Sequence, residues 1–333
     1  MRFMICGLGS IGRRHLRNLV SLGVKDVILF RTSKATLPNE ELDPYPQETD
    51  LLKALEQWTP DAVVISNPTS LHMDVALPAA DAGCHIFLEK PVSHSLEGLD
   101  TLRDTLSETG KQALVGFQFR YHPGLKQAKR LLTEGAIGEV ISARVNWGEY
   151  LPDWHPWEDY RLSYSAQRVL GGGVVLTLCH PFDYLRWLLG DVVEVIAALK
   201  TSGSLELEVE DTAEVIMQFE IGAVANVHLD YVTRPTNHSL EVIGTEGTLR
   251  WDQEDGAVHW WSISNEAWLT ITAPEGFERN TMFLDEMRHF LDLVADGKSP
   301  VCTLEDGIRA LEISLAAHRS SEEGKRIQLS GAS

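Results

Sequence analysis

The chain has 333 residues, with 29 Lys and Arg against 48 Asp and Glu, a formal charge of −19 at neutral pH. At about 150 residues per domain this length suggests two domains, and 44% hydrophobic with 23% charged residues excludes an intrinsically disordered chain. The acid excess argues against nucleic-acid or membrane partners, because phosphates are held mainly by Lys and Arg. Cys6, Cys84, Cys179 and Cys302 lie far apart with no CxxC pair, so a reducing, cytoplasmic setting is expected. No signal-peptide pattern and no run of about 18 apolar residues is present.

Residues 1–120 alternate short apolar runs with amphipathic stretches. The runs 3–6, 27–30, 62–66, 85–88 and 113–116 are almost continuously hydrophobic, the pattern of parallel strands covered on both faces. Between them, 11–22, 50–58, 71–82 and 96–108 carry helical spacing, the last with Ser95 as N-cap and Gly110 past its end. Alternation of this kind with right-handed crossovers predicts an α/β fold, a doubly wound parallel sheet over 1–120. Beyond residue 120 the texture changes. A helix at 124–134 precedes a strand at 140–147, a Trp-, Tyr- and Pro-rich stretch at 150–164 and a helix at 174–189. Strand-like runs then succeed one another from 192 to 271, with turns at Glu246-Gly247 and Asp255-Gly256 and with Val215, Met217 and Phe219 in alternation. Helices at 281–296, with Phe283, Met287, Phe290, Leu291 and Val294 on one face, and at 304–321 complete the chain. Residues 121–333 therefore read as an α+β domain with a mainly antiparallel sheet.

Gly7-Leu8-Gly9-Ser10-Ile11-Gly12 follows the first strand and opens the first helix. Gly7 permits the tight turn, Gly9 lets a pyrophosphate approach the backbone, and Gly12 packs helix against strand. Ser10 and Ile11 then lie at a helix N-terminus, whose free N–H groups suit phosphate. An NAD site usually carries an acid at the end of the second strand, for the ribose hydroxyl. This chain has Arg31-Thr32-Ser33-Lys34 there, cations and hydroxyls suited to a 2′-phosphate, which favours NADP(H) with NAD(H) as the alternative. Residues 1–34 hold seven basic residues and one acid, a local excess where one dinucleotide would lie. Glu89-Lys90-Pro91 ends the fourth strand, at the sheet edge where ligands bind. A lysine there can donate to a substrate oxygen and carry its proton.

These stretches, 7–15 (GLGSIGRRH), 67–72 (NPTSLH), 89–91 (EKP), 116–123 (GFQFRYHP), 171–190 and 244–247 (GTEG), give the chain a resemblance to the Gfo/Idh/MocA family. The resemblance implies an N-terminal Rossmann domain and a C-terminal α/β domain whose open sheet forms oligomer contacts, in a homodimer or homotetramer. It also implies NAD(P)-dependent oxidation or reduction of a sugar, cyclitol or related small-molecule alcohol. By position it makes Lys90 the catalytic lysine and puts Asn67, Thr69, His72, Glu89 and Gln118 around the cofactor, with Arg120 beside the nicotinamide. The family's catalytic Asp-and-His pair corresponds to Thr177 and His180. Here the Asp is replaced, and His180 follows after three residues instead of four. One continuous helix would still put both on one face, although Thr177 can only hydrogen-bond.

Tyr150, Trp154, His155, Trp157, Tyr160 and Arg161 form a candidate substrate lid, aromatic faces for sugar C–H surfaces and polar groups for hydroxyls. Arg161, Arg168 and Arg234 are candidates for an anionic substrate group. His155 and His180 make no ligand set with a cysteine, so no metal is expected. Two other classes compete with a dehydrogenase: an NAD-dependent glycoside hydrolase of the same fold and a non-catalytic NAD(P)-binding regulator.

Overall fold

β1 (Arg2–Cys6) is buried along Phe3, Met4, Ile5 and Cys6, because strands pair with it on both sides and apolar groups cover both faces. The computed structural model describes residues 1–32 and 37–329. After β1 come α1 (Ser10–Ser21), β2 (Asp26–Phe30), β3 (Gln47–Glu48), α2 (Leu51–Trp58), β4 (Ala62–Ile65), α3 (His72–Asp81), β5 (His85–Glu89), α4 (Leu99–Thr109) and β6 (Ala113–Gly116). All six strands pair in parallel, in the order β3-β2-β1-β4-β5-β6. Two residues long, β3 was invisible to periodicity. It pairs Gln47 and Glu48 with Leu29 and Phe30.

The rest of the chain supplies α5 (Pro123–Thr133), β7 (Val140–Gly148), α6 (Val174–Thr177), α7 (His180–Leu189), β8 (Val192–Lys200), β9 (Thr212–Phe219), β10 (Val224–Asp230) and β11 (Asn237–Gly244). It continues with β12 (Thr248–Asp252), β13 (Val258–Ser262), β14 (Ala267–Ile271), α8 (Arg279–Asp296), α9 (Leu304–Glu323) and β15 (Ile327–Gln328). The second sheet has the order β14-β13-β12-β11-β7-β10-β9-β8-β15, antiparallel throughout except between β7 and β10.

Two compact units result, and they are not separated by a single cut. The first takes Met1–Gln118, Val169–Gly171 and Arg279–Ile308; the second holds the remainder. α8 belongs to the first because Phe290 packs edge-on against Phe3 and Phe87, at 6.1 and 5.5 Å between centroids.

Three expectations change in detail. α4 starts at Leu99, not after Ser95, because Gly98 stands at its N-cap in the left-handed region at φ 80°. α8 buries Met282, Phe283, Glu286, Met287, Phe290 and Leu293, a face turned slightly from the one containing Leu291 and Val294. The expected helix 174–189 is two helices. Pro181 lacks an N–H and its ring would collide with the carbonyl of Thr177 in a continuous helix, so the chain leaves helical geometry at Leu178 and restarts at His180. Among the described residues, no helix is long and apolar enough to cross a membrane.

Candidate active site

In the first unit, the turn between β1 and α1 has Gly7 at φ 90°, and a Cβ there would collide with the backbone of Asn67. A Cβ on Gly12 would strike the carbonyl of Gly7, whereas one on Gly9 would meet nothing within 4 Å. Gly9 thus faces open space at the start of a 12-residue helix with no side-chain cap and no acid in its first turn. The N–H groups of the Ser10–Ile11 turn remain for an anion. Beside them, Asn67 Oδ1 is buried with no hydrogen-bond partner among the described residues, while Asn67 Nδ2 donates to the Leu71 carbonyl at 2.8 Å. Open backbone, free N–H groups and an unanswered amide oxygen fit a dinucleotide.

Arg31 follows β2, and its guanidinium donates to Gln47 Oε1 at 3.1 Å and Asn39 Oδ1 at 2.8 Å. Both of these partners are neutral amides. Thr32 is exposed beside it. Ser33 and Lys34 lie outside the described residues. Part of the basic excess of the first 34 residues is taken up by partners within this unit. Arg2 is at the far end of β1 with Asp26, Arg13 is buried against the carbonyls of Leu8 and Pro38, and Arg17 pairs with Glu41.

β5 ends at Glu89, and the Lys90–Pro91 peptide after it is cis. Lys90 is half-buried, and its backbone N–H donates to Glu89 Oε2 at 3.2 Å. His72 sits between the loops after β4 and β5, with Nε2 3.0 Å from the Asn67 carbonyl and Nδ1 3.3 Å from that of Val92. Burial pushes its pKa down, and a neutral ring has one N–H, which the shorter contact assigns to Nε2 and the Asn67 carbonyl. Thr69 is buried in a short 3-10 turn before α3, and Gln118 is buried in another after β6. Gly171 packs in the same unit, where a Cβ would stand 3.0 Å from that of Thr69.

In the second unit, Thr177 and His180 are each 3% exposed, on separate helices. The single-helix argument for their common face therefore does not apply. The Thr177 hydroxyl hydrogen-bonds with Tyr231, a wholly buried phenol whose pKa burial drives upward. The His180 ring stands edge-on to Phe119 at 5.0 Å and tilted against Trp147 at 5.5 Å. Arg120 is 3% exposed and grips Asp183, one turn after His180, with Nη2 to Oδ1 at 2.7 Å and Nε to Oδ2 at 3.0 Å. Its charge is spent inside the protein, on α7.

Sequence reasoning passed over the rest of this cluster. His238 stacks on Trp147 at 4.2 Å, donates from Nδ1 to Gln253 Oε1 and accepts at Nε2 from the Tyr184 hydroxyl. Burial holds it neutral, with a pKa down to about 3, and lowers that of His122 to about 4. Asp183 did leave a signal, since it is the next acid after His180 and lies on the same helical face.

The candidate lid is built of short 3-10 turns anchored within its own unit. The Leu151 N–H donates to the Tyr231 carbonyl at 3.1 Å, and the Tyr160 hydroxyl to that of Leu205 at 3.2 Å. Arg161 pairs with Asp159 and Glu206, Arg168 donates to the Glu208 carbonyl, and Arg234 lies 3.9 Å over the ring of Tyr150. The Trp154 ring stands edge-on to Tyr231 at 5.6 Å, and its Nε1 is buried with no partner among the described residues. His155 lies against Trp157, which is 58% exposed. Among the described residues, no group of three or more His, Cys, Asp or Glu is arranged to hold a metal ion.

Residues 1–117 match a family described as an oxidoreductase family, NAD-binding Rossmann fold, and residues 129–329 match its C-terminal alpha/beta domain. The chain is 30% identical over 349 residues to scyllo-inositol 2-dehydrogenase (NAD(+)) of Bacillus subtilis, covering 99% of this chain and 96% of that protein. It is 27% identical over 355 residues to myo-inositol 2-dehydrogenase of Thermotoga maritima, covering 99% and 98%. A solved levoglucosan dehydrogenase in complex with NADH has the same fold, with a TM-score of 0.88 at 21% identity over 100% of both chains.

Proposed function

The chain belongs to the Gfo/Idh/MocA oxidoreductase family, and from that premise we propose an NAD(P)-dependent dehydrogenase or reductase acting on CH–OH groups of a sugar, cyclitol or related hydroxylated small molecule. The observation that carries this reading is Lys90, half-buried at the carboxyl end of β5 in the unit that holds the glycine turn. Gly7, Gly9, Ser10, Ile11 and Gly12 would hold the diphosphate, with Asn67, Thr69 and Gln118 nearer the nicotinamide. The bound dinucleotide supplies a ring carbon that accepts or gives a hydride. The chain's own part is to move the proton. Lys90 Nζ takes it from the substrate hydroxyl during oxidation and returns it during reduction. His180, in its aromatic setting, is the second proton carrier. Thr177 holds no charge, so no carboxylate at that position raises the basicity of either group.

Arg31, whose guanidinium is held by amide oxygens among the described residues, favours NADP(H) over NAD(H) by offering a cation to a 2′-phosphate. Trp154, Tyr150, Tyr160 and Trp157 offer aromatic faces to the substrate, and Trp154 Nε1 offers a donor. Arg120 serves by fixing α7 through Asp183. Exposed Ile141, Ile196, Ile216 and Trp268 on the second sheet support a homodimer or homotetramer. The acid excess argues against nucleic-acid or anionic-membrane partners, and the widely spaced cysteines suit a cytoplasmic setting.

Turnover of a cyclitol and sugar panel, followed by NAD(P)H absorbance, tests the reaction. Lys90→Ala should lower kcat by about 10²–10⁴-fold while dinucleotide affinity stays near wild type. Undiminished turnover by that variant on a substrate the wild type uses overturns the assignment.

A further inference from the structure

Glu89 is a carboxylate 7% exposed at the end of a central strand, where water cannot solvate it fully. Across the sheet on β6, a Cβ at Gly116 would stand 3.3 Å from its carboxyl carbon, so the carboxyl fills the space that the glycine leaves. One oxygen, Oε2, accepts the Lys90 backbone N–H. The other, Oε1, is 2.7 Å from Nε2 of His15, a residue with 0% exposure on α1. The imidazole is fixed by Phe87 at 4.8 Å and Phe283 at 6.3 Å between ring centroids. Its Nδ1 is buried with no partner among the described residues. Nε2 carries the N–H that Glu89 Oε1 accepts, since a carboxylate oxygen has no proton to give.

We propose that His15 is a positioning residue for the reaction: through Glu89 it fixes the Lys90 turn and keeps an ionised carboxylate beside the lysine. The helix whose first turn would face the diphosphate thus also carries the group that sets Lys90. This inference rests on Lys90 being the proton carrier. The other charged or titratable groups acting on or near Glu89 are Lys90 itself, Arg14 of α1 and His72 of α3. Burial pushes the Glu89 pKa up, and the His15 hydrogen bond leads the contributions that bring it down overall.

The consequence is a pH signature. A carboxylate beside Lys90 favours the ammonium, so oxidation, which needs the neutral amine, begins at a higher pH than it otherwise would. In His15→Leu the leading hydrogen bond that opposes burial is lost, so the Glu89 pKa rises and the carboxylate's hold on the Lys90 ammonium weakens. The rising limb of kcat/KM for oxidation then moves down by about one pH unit. kcat itself should fall about tenfold as the turn loosens, with substrate KM little changed. His15→Gln, whose amide N–H reaches the place of Nε2, should restore both. Glu89→Gln should move the limb as His15→Leu does, and serves as the readout should the leucine variant fail to fold. A limb left in place in either folded variant, or His15→Gln no better than His15→Leu, overturns the inference. Lys90→Ala separates the two readings. If it stays active, the role of Lys90 falls and the inference with it; if it is inactive while the limb stays put, only the role of His15 falls.

Discussion

Two buried carboxylates, one in each unit, are balanced in opposite ways. In the first unit Glu89 is met by a ring N–H of His15 and by the Lys90 backbone N–H, with its carboxylate beside Lys90. In the second, Asp183 is met by the Arg120 guanidinium through both of its oxygens, which leaves nothing over. Arg31 repeats the first pattern with the sign reversed, a cation held by amides. An ion closed on its own counter-ion braces a fold. An ion held by neutral groups keeps its field for something else, here a lysine or an incoming phosphate.

The largest effect that contrast predicts is on stability. Asp183→Ala leaves a guanidinium buried without its counter-ion and should cost about 3–5 kcal/mol, read from denaturant unfolding. Glu89→Gln removes a carboxylate held by a ring N–H and a backbone N–H and leaves no buried guanidinium behind, so its cost in stability should be well below that of Asp183→Ala. Equal losses would break the contrast. Next in size is the cofactor choice. Arg31→Ala should weaken NADPH binding about tenfold, near 1.4 kcal/mol, and leave NADH binding almost unchanged. Fluorescence titration of both nucleotides checks this, and tighter binding of NADH by the wild type would contradict the role given to Arg31.

What a single sequence revealed follows the same division. The glycine turn and the Glu89-Lys90-Pro91 edge were readable because their chemistry is set by backbone geometry within a few residues: a positive φ at Gly7, a helix start at Ser10, a strand end at Glu89. His15 and Glu89 each lay inside a stretch already singled out, yet they are 74 positions apart, and no periodicity joins them. Arg120 and Asp183 are 63 apart, and Arg120 looked like a ligand group because its partner was not in view. The break between α6 and α7 was legible in principle, since Pro181 stands four residues after Thr177. Helical spacing hid it, because offsets of three and four residues look alike whether or not the helix is continuous.

The smallest effect lies on the second sheet and tests whether ions there truly close on one another. His228 of β10 sits between Glu214 Oε1 at 2.6 Å and Asp230 Oδ2 at 3.0 Å. The hydrogen bond to Asp230 leads the causes that raise its pKa to about 9, against about 6.5 in an unfolded chain. The folded state therefore holds the imidazolium more tightly than the unfolded state does. The stabilisation is complete below about pH 6.5 and fades as pH rises through 9, because only the folded chain still binds the proton in that window. Glu214 is half exposed and water screens the pair, so the loss should be about 1 kcal/mol, far short of the full shift. Unfolding measured from pH 6 to pH 10 should show this decline in the wild type and a flatter profile in His228→Gln. If the variant declines as steeply as the wild type, the imidazolium is not what the two carboxylates hold, and the claim that the second unit closes its charges would then rest on Arg120 and Asp183 alone.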